Sequence, residues 1–270
     1  MNPNQALWEK GDFTRIAEAM RDSGEELVEA IGIAPGEKIL DLGCGDGTTA
    51  IPVARRGAEV LGVDIAANLV EAGRRRASEA GLSNIRFEQG DATDLEGIGD
   101  HSFDKVVTIF GAMFAPRPDE VAREMVRVTR PGGQIVMGNW IPADPTLVAQ
   151  ILKISAAYSP PPPEGFVSPM LWGVEDKVVE RFAAAGVPAA RIACSRATFR
   201  FDFDGSPRAA VERFRSFYGP TMNAFEAAAK DQRADALEAE LVELFTAHNE
   251  AGDGRTSIPA TFLKVVVDVP

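Results

Sequence analysis

An apolar run that ends in an acid and passes at once into glycines constrains this chain most: Ile39-Leu40-Asp41-Leu42-Gly43-Cys44-Gly45-Asp46-Gly47-Thr48. Such a run reads as a buried parallel strand. The glycines let backbone approach a nucleotide-like ligand where a Cβ would clash. Alone, a Gly-x-Gly-x-Gly turn is a weak signal. Its neighbours give it weight.

Strands and helices alternate around that turn. Strands are expected at 39–42, 59–64, 85–89, 103–110 and 134–140. Helices are expected at 15–31, 48–56 and 67–80, and from Asp119, which suits a cap. Pro131-Gly132-Gly133 reads as the stop of that last helix. Helices between short apolar strands imply an α/β fold, a parallel sheet covered on both faces. The second half is less regular. Residues 142–174 hold the prolines 160–163 with Tyr158, Phe166 and Trp172, and read as a long insertion. A helix at 175–185, an alternating strand at 192–203, a helix from Ser206-Pro207, a helical stretch at 221–248 and a strand at 260–269 follow. The expected organisation is one domain, 1–270. It comprises an N-terminal helical segment 1–34, a ligand-binding core 35–141, and cap insertions 142–174 and 205–257.

Composition narrows the function. With 270 residues, 45% of them hydrophobic, the core needs neither disulfides nor a structural metal. A net charge of −12 argues against a nucleic-acid partner, which asks for a basic face. The one dense basic run, Arg74-Arg75-Arg76, has Glu71 and Glu79 nearby and reads as a solvated helix face. Two cysteines, Cys44 and Cys194, imply no disulfide framework. The first ten residues lack a signal-peptide core, and no apolar run is long enough for a membrane span. A cytoplasmic location is the expectation.

The chemistry gathers at the carboxyl ends of the strands, where open α/β sheets bind ligands. Asp64 ends the second strand, Asp91 follows the third, and Phe110-Gly111 ends the fourth. An acid at the second position can accept hydrogen bonds from both hydroxyls of a ribose. One at the third can accept from an adenine amine. Asp64 also suits a helix N-cap and Asp91 a turn, and these alternatives stay open.

This set resembles the class I S-adenosylmethionine-dependent methyltransferases. The resemblance rests on the opening motif, on Gly62-Val63-Asp64, Gly90-Asp91-Ala92 and Phe103-Asp104-Lys105-Val106, and on Arg130-Pro131-Gly132-Gly133. It covers nearly the whole chain. Asp91-Ala92-x-x-Leu95 followed by Phe103-Asp104 looks most like the quinone and small-molecule branch. The resemblance implies a Rossmann-like, seven-stranded, mostly parallel sheet with one antiparallel strand and helical caps. It implies S-adenosyl-L-methionine as cofactor. Gly43 and Gly45 would line its methionine part, and Asp64, with Ile65 beside it, its ribose. Asp91 and the Ala92 amide would meet the adenine. The Phe110 carbonyl would sit near the amino group, Asp41 would organise the glycine loop or reach that group through water, and Trp8 of the N-terminal segment would either stack near the cofactor or serve packing alone. The rival, a nicotinamide-dependent dehydrogenase, wants a third glycine where Thr48 stands and gives Asp41 and Asp91 no role.

The acceptor is less legible. His248 and Tyr158 are weak candidates for a general base, and His101 reads as a surface turn. Gly111-Ala112-Met113-Phe114 departs from the Asn/Asp-Pro-Pro-aromatic motif of amino-methylating enzymes. No His, Asp and Glu spacing suggests a metal. The expected function is methyl transfer to a small molecule by direct in-line displacement. The alternatives are a methyltransferase acting on tRNA or protein, or a cofactor-binding protein without transferase activity.

Overall fold

The computed structural model describes residues 3–270. In chain order the elements are α1 (Pro3–Trp8), α2 (Thr14–Ala17), α3 (Arg21–Ile31), β1 (Lys38–Leu42), α4 (Ala50–Arg55), β2 (Glu59–Asp64), α5 (Ala67–Glu79), β3 (Ile85–Gln89), β4 (Phe103–Ile109) and α6 (Pro118–Val128). Then come β5 (Thr129–Trp140), α7 (Leu147–Ala157), α8 (Glu175–Ala184), β6 (Ile192–Phe203), α9 (Pro207–Phe217), α10 (Gly219–Lys230), α11 (Ala234–His248) and β7 (Thr256–Asp268). The seven strands form one sheet in the order β3-β2-β1-β4-β5-β7-β6. The first five pair in parallel, and β7 runs antiparallel to β5. This is the Rossmann-like methyltransferase sheet that the resemblance implies.

The chain divides into two compact units. The core unit comprises Gly24–Ile141, Val167–Ala197 and Phe262–Pro270. β1 and β2 are buried along nearly their whole length, which is why they read as unbroken apolar runs. Ile39, Val60 and Val107 from the sheet pack with Ile51 and Val53 of α4 and Val70 of α5. Phe87 of β3 completes this cluster because two neighbours lack side chains. A Cβ on Gly62 of β2 would lie 2.8 Å from its ring, and one on Gly73 of α5 2.7 Å. β3 is an edge strand, and Arg74 covers part of that edge. Its Nε and Nη2 donate to the Phe87 carbonyl at 3.1 and 2.8 Å, a common protection against strand addition. The basic run is therefore not simply a solvated face, since tertiary contacts recruit two of its three members, Arg74 here and Arg76 at the glycine turn.

The second unit comprises the chain up to Ser23 with Pro142–Phe166 and Thr198–Thr261. Its interior is aromatic. Phe214 of α9 lies 5.4 Å, centroid to centroid, from both Tyr218 and Phe245 of α11. The N-terminal segment is fastened to α10 by close backbone contact, a Cβ on Gly219 striking the Leu7 carbonyl oxygen.

Several local expectations shift. α7 falls inside the long insertion 142–174, where helical caps are implied but no helix has bounds in the sequence pattern. Only Gln150, Lys153 and Ser155 break its apolar surface, so it carries no polar face to mark a period. The stretch 221–248 is two helices, α10 and α11, separated at Gln232, whose φ is +56°. Asp119 is not the cap of α6. Arg117 holds that position without a side-chain bond, and Pro118, preset for a first helical residue, starts the helix. Pro131-Gly132-Gly133 lies within β5 rather than ahead of it.

Filling the space beside Phe87 should be costly. Gly62→Ala is expected to destabilise the protein by about 1–3 kcal/mol through overpacking. Phe87→Leu in the same chain should recover part of that loss. Urea unfolding of both single variants and the double variant measures it, and strict additivity would refute the contact.

Candidate functional site

The glycine turn after β1 is built by backbone geometry. Gly43, Gly45 and Gly47 have φ of +71°, +54° and +86°, a region open to glycine and strained for other residues. The Gly43 and Cys44 amides both donate to the Val63 carbonyl, at 2.7 and 3.1 Å, tying the turn to the end of β2. The exit of β4 comes equally close. A Cβ on Gly43 would lie 2.6 Å from the Gly111 Cα, and one on Gly111 would strike the Gly43 carbonyl oxygen. Backbone meets backbone here, so the turn presents a cradle bare of side chains.

Three carboxylates surround it. Asp64, 9% exposed, accepts the Gly45 amide at 2.8 Å on Oδ2 and the Ala66 amide at 2.9 Å on Oδ1. Burial raises its pKa, and these amide bonds oppose the rise. It is not the N-cap of α5, a position held by Ala66. Asp41, 1% exposed, accepts a hydrogen bond from the Ala50 amide, while its Oδ2 has no partner. Burial first, and the nearby Asp64 charge second, push its pKa from an ordinary 3.8 up to about 8. Asp46, also buried, has Arg76 of α5 as a partner. Arg76 Nη1 donates to the Asp46 backbone carbonyl and lies 3.4 Å from the carboxylate. The buried Cys44 thiol, surrounded by these acids, is pushed well up and stays protonated.

The remaining positions lie along the same strand ends. Gly90 donates to the Asp64 carbonyl at 2.9 Å, placing the turn after β3 beside the end of β2. In that turn Asp91 Oδ1 accepts from the amide and the hydroxyl of Thr93, at 2.9 and 2.8 Å. Ala92 is half-buried between them. Ile65 is fixed through its carbonyl, which accepts from Gln89 Nε2 at 3.0 Å. Phe110 has a φ of +58°, strained for a bulky residue. Its ring stacks on Trp140 at 3.6 Å and meets Phe262 edge-on at 5.3 Å, contacts that hold the strained backbone in place. Its carbonyl belongs to the segment that touches Gly43.

Trp8, Tyr158 and His248 belong to the other unit. Trp8 packs against Phe13 and Tyr218, at 5.8 and 6.1 Å. The Tyr158 hydroxyl donates to Glu240 at 2.6 Å, with Arg233 over its ring. His248 ends α11. His101 is exposed at the amino end of β4, the sheet edge opposite the glycine turn, as a surface turn should be. No cluster of His, Cys, Asp and Glu suited to a metal ion occurs among the described residues.

Sequence reasoning passed over three residues. Asp46 stood in the opening motif without a role. Gly111 was noted only as following Phe110. Arg76 was folded into the basic run, and nothing in its spacing reveals that it reaches thirty residues back to the turn.

The site thus combines a bare backbone cradle with buried carboxylates, one of them holding an oxygen free to accept. That fits a ligand carrying positive charge and hydroxyls. Residues 39–133 match the family model described as a methyltransferase domain. The chain is 33% identical over 243 residues to an uncharacterized protein of Mycobacterium tuberculosis, covering 89% of this chain and 86% of that one. The chain belongs to the class I S-adenosylmethionine-dependent methyltransferases. It is also similar to the demethylmenaquinone methyltransferase of Renibacterium salmoninarum, 37% identical over 114 residues, which are 42% of this chain and 46% of that enzyme. The YcgJ protein from Bacillus subtilis has the same fold, with a TM-score of 0.60 at 19% identity, over 92% of this chain and 99% of that one. Methyltransferases of this class use S-adenosylmethionine, and the orphan Asp41 oxygen is an acceptor suited to its ammonium. No helix of the described residues is long and apolar enough to cross a membrane.

The raised pKa of Asp41 has a consequence for stability. Between its ordinary 3.8 and about 8 the folded state keeps a proton that the unfolded chain has released. Stability of the ligand-free protein should therefore fall as pH rises through that window. Asp41→Asn should flatten the slope, as read by thermal melts across the same pH range. Equal slopes in both proteins would contradict this account of Asp41.

Proposed function

We propose that this methyltransferase acts on a small-molecule acceptor, by direct in-line displacement. The observation that carries the proposal is the charge of the molecule, −12 overall, with carboxylates clustered at the cofactor site. A polyanionic acceptor such as tRNA would be repelled. The likeness to an enzyme named for a quinone, demethylmenaquinone methyltransferase, supports the same choice. Two free cysteines fit a cytoplasmic location.

When bound, the cofactor supplies an activated methyl carbon: the acceptor's electron pair forms the new bond while the carbon–sulfur pair leaves with sulfur. The chain's own task is to hold the two partners. Asp64 takes the ribose diol with Ile65 beside it. Asp91 and the Ala92 amide take the adenine. Gly43 and Gly45 admit the methionine chain, whose ammonium Asp41 and the Phe110 carbonyl receive. Orientation of this kind is worth up to about 7–11 kcal/mol of a reaction barrier. A base is required only for acceptors that arrive protonated. Tyr158 suits that task poorly, because its bond to Glu240 keeps the phenol protonated, whereas His248 remains a candidate.

Labelled methyl transfer to a metabolite panel that includes quinones, run beside tRNA and protein, tests the proposal. Label in a small molecule is the expected result. Label in tRNA or protein would replace it with a macromolecular acceptor, and tight cofactor binding with no acceptor would favour a binding protein. Asp64→Ala should weaken S-adenosylhomocysteine binding by about 1.5–3 kcal/mol, read by calorimetry, through lost charge-assisted hydrogen bonds. Unchanged affinity in a folded variant would remove Asp64 from the site.

A further inference from the structure

Asp41, Asp46 and Asp64 crowd one glycine turn, yet the turn contains no cation of its own. The positive charge comes from α5. Arg76 is 28% exposed, and its inner end sits against a carboxylate that is only 2% exposed. The same guanidinium nitrogen donates to the backbone carbonyl of Asp46, so one group holds both the charge and the main chain of the turn. Asp46 stands next to Gly45, whose amide binds Asp64. The Asp46 charge also reaches Asp64 and raises the pH at which it ionises.

The structure assigns Arg76 the part of a positioning residue for cofactor binding, acting through Asp46. It fixes the glycine turn at the place where the Gly45 amide meets Asp64. It also offsets the Asp46 charge beside Asp64, so that Asp64 can ionise to receive a ribose. The inference rests on the cofactor site proposed above. The charged and titratable groups that the Asp46 charge meets include Cys44 in the turn itself, Asp64 on β2 and Arg76 on α5. Arg74, two residues away on α5, is occupied at the sheet edge and takes no part.

Removing Arg76 takes the guanidinium away from the Asp46 carboxylate, whose charge reaches Asp64. The proton then stays on Asp64 to higher pH, and cofactor binding, which needs it ionised, moves up the pH scale. An arginine that merely docked α5 would weaken binding evenly at every pH.

The test is calorimetric titration of S-adenosylhomocysteine into the full chain across a range of pH, with thermal melts of each ligand-free variant. Arg76→Gln should weaken binding about tenfold, the size of one charge-assisted contact, and shift the pH profile upward. Arg76→Lys, which keeps the charge and loses the fork, should keep the wild-type profile with a smaller loss of affinity. In an Asp46→Asn background, Arg76→Gln should cost less than it does in the wild-type chain, because the carboxylate it faces is gone while its bond to the main-chain carbonyl is common to both backgrounds. A wild-type profile in Arg76→Gln would overturn the inference, as would an undiminished loss in the Asp46→Asn background. If Arg76→Gln fails to fold, an upward shift in Arg76→Lys would overturn it equally. Failure of the wild-type chain to bind S-adenosylhomocysteine at all would instead refute the underlying cofactor site.

Discussion

Burying three carboxylates around one backbone turn is the constraint on which the rest of this structure depends. Carboxylates resist removal from water, and each needs a donor or a cation when it is removed. The fold answers with backbone amides for Asp41 and Asp64 and with a guanidinium for Asp46. Those donors exist only because β1, β2 and α5 meet at one place. The glycines have a matching cause, since side chains at Gly43 or Gly111 would force the turn and the exit of β4 apart. Sheet order, helix placement and glycine content thus serve a single small volume.

The arrangement also explains why so costly a site is kept. A buried acid with an unsatisfied oxygen is a poor element of stability and a good element of recognition. Asp41 holds a proton in the ligand-free fold and gains from a cationic partner. The methyl donor of this family carries one positive charge on sulfur and another on its amino group. In the proposed binding mode, cofactor binding and charge compensation are one event. Phe110 belongs to the same economy, because its strained backbone is held by stacking on Trp140 and lies beside the same turn.

Local signals were legible wherever the physics is local. The apolar run 39–42, the glycines after it and the acids ending strands two and three needed only neighbouring residues to be read. Ser206 capping α9 belongs with them, since its hydroxyl accepts the Ala209 amide three residues on. Where a signal depends on contrast, it failed. α7 is apolar on most sides and shows no period, and the break between α10 and α11 turns on a single positive φ at Gln232. The cap that should have belonged to Asp119 was displaced by the preset geometry of Pro118.

What the sequence by itself determined is the class of fold, the family, and the glycines and acids that gather at the strand ends. Strand period, glycine conformation and an acid at a strand end are short-range properties. Only the tertiary structure decided which carboxylate oxygen lacks a partner, that Gly111 lies against Gly43, and that Arg76 meets Asp46 while Arg74 covers part of a sheet edge. Two arginines two residues apart on one helix have the same chemistry and the same local context. Their different roles arise from what the sheet and the turn place opposite each, and that is settled by packing over distances no local pattern records.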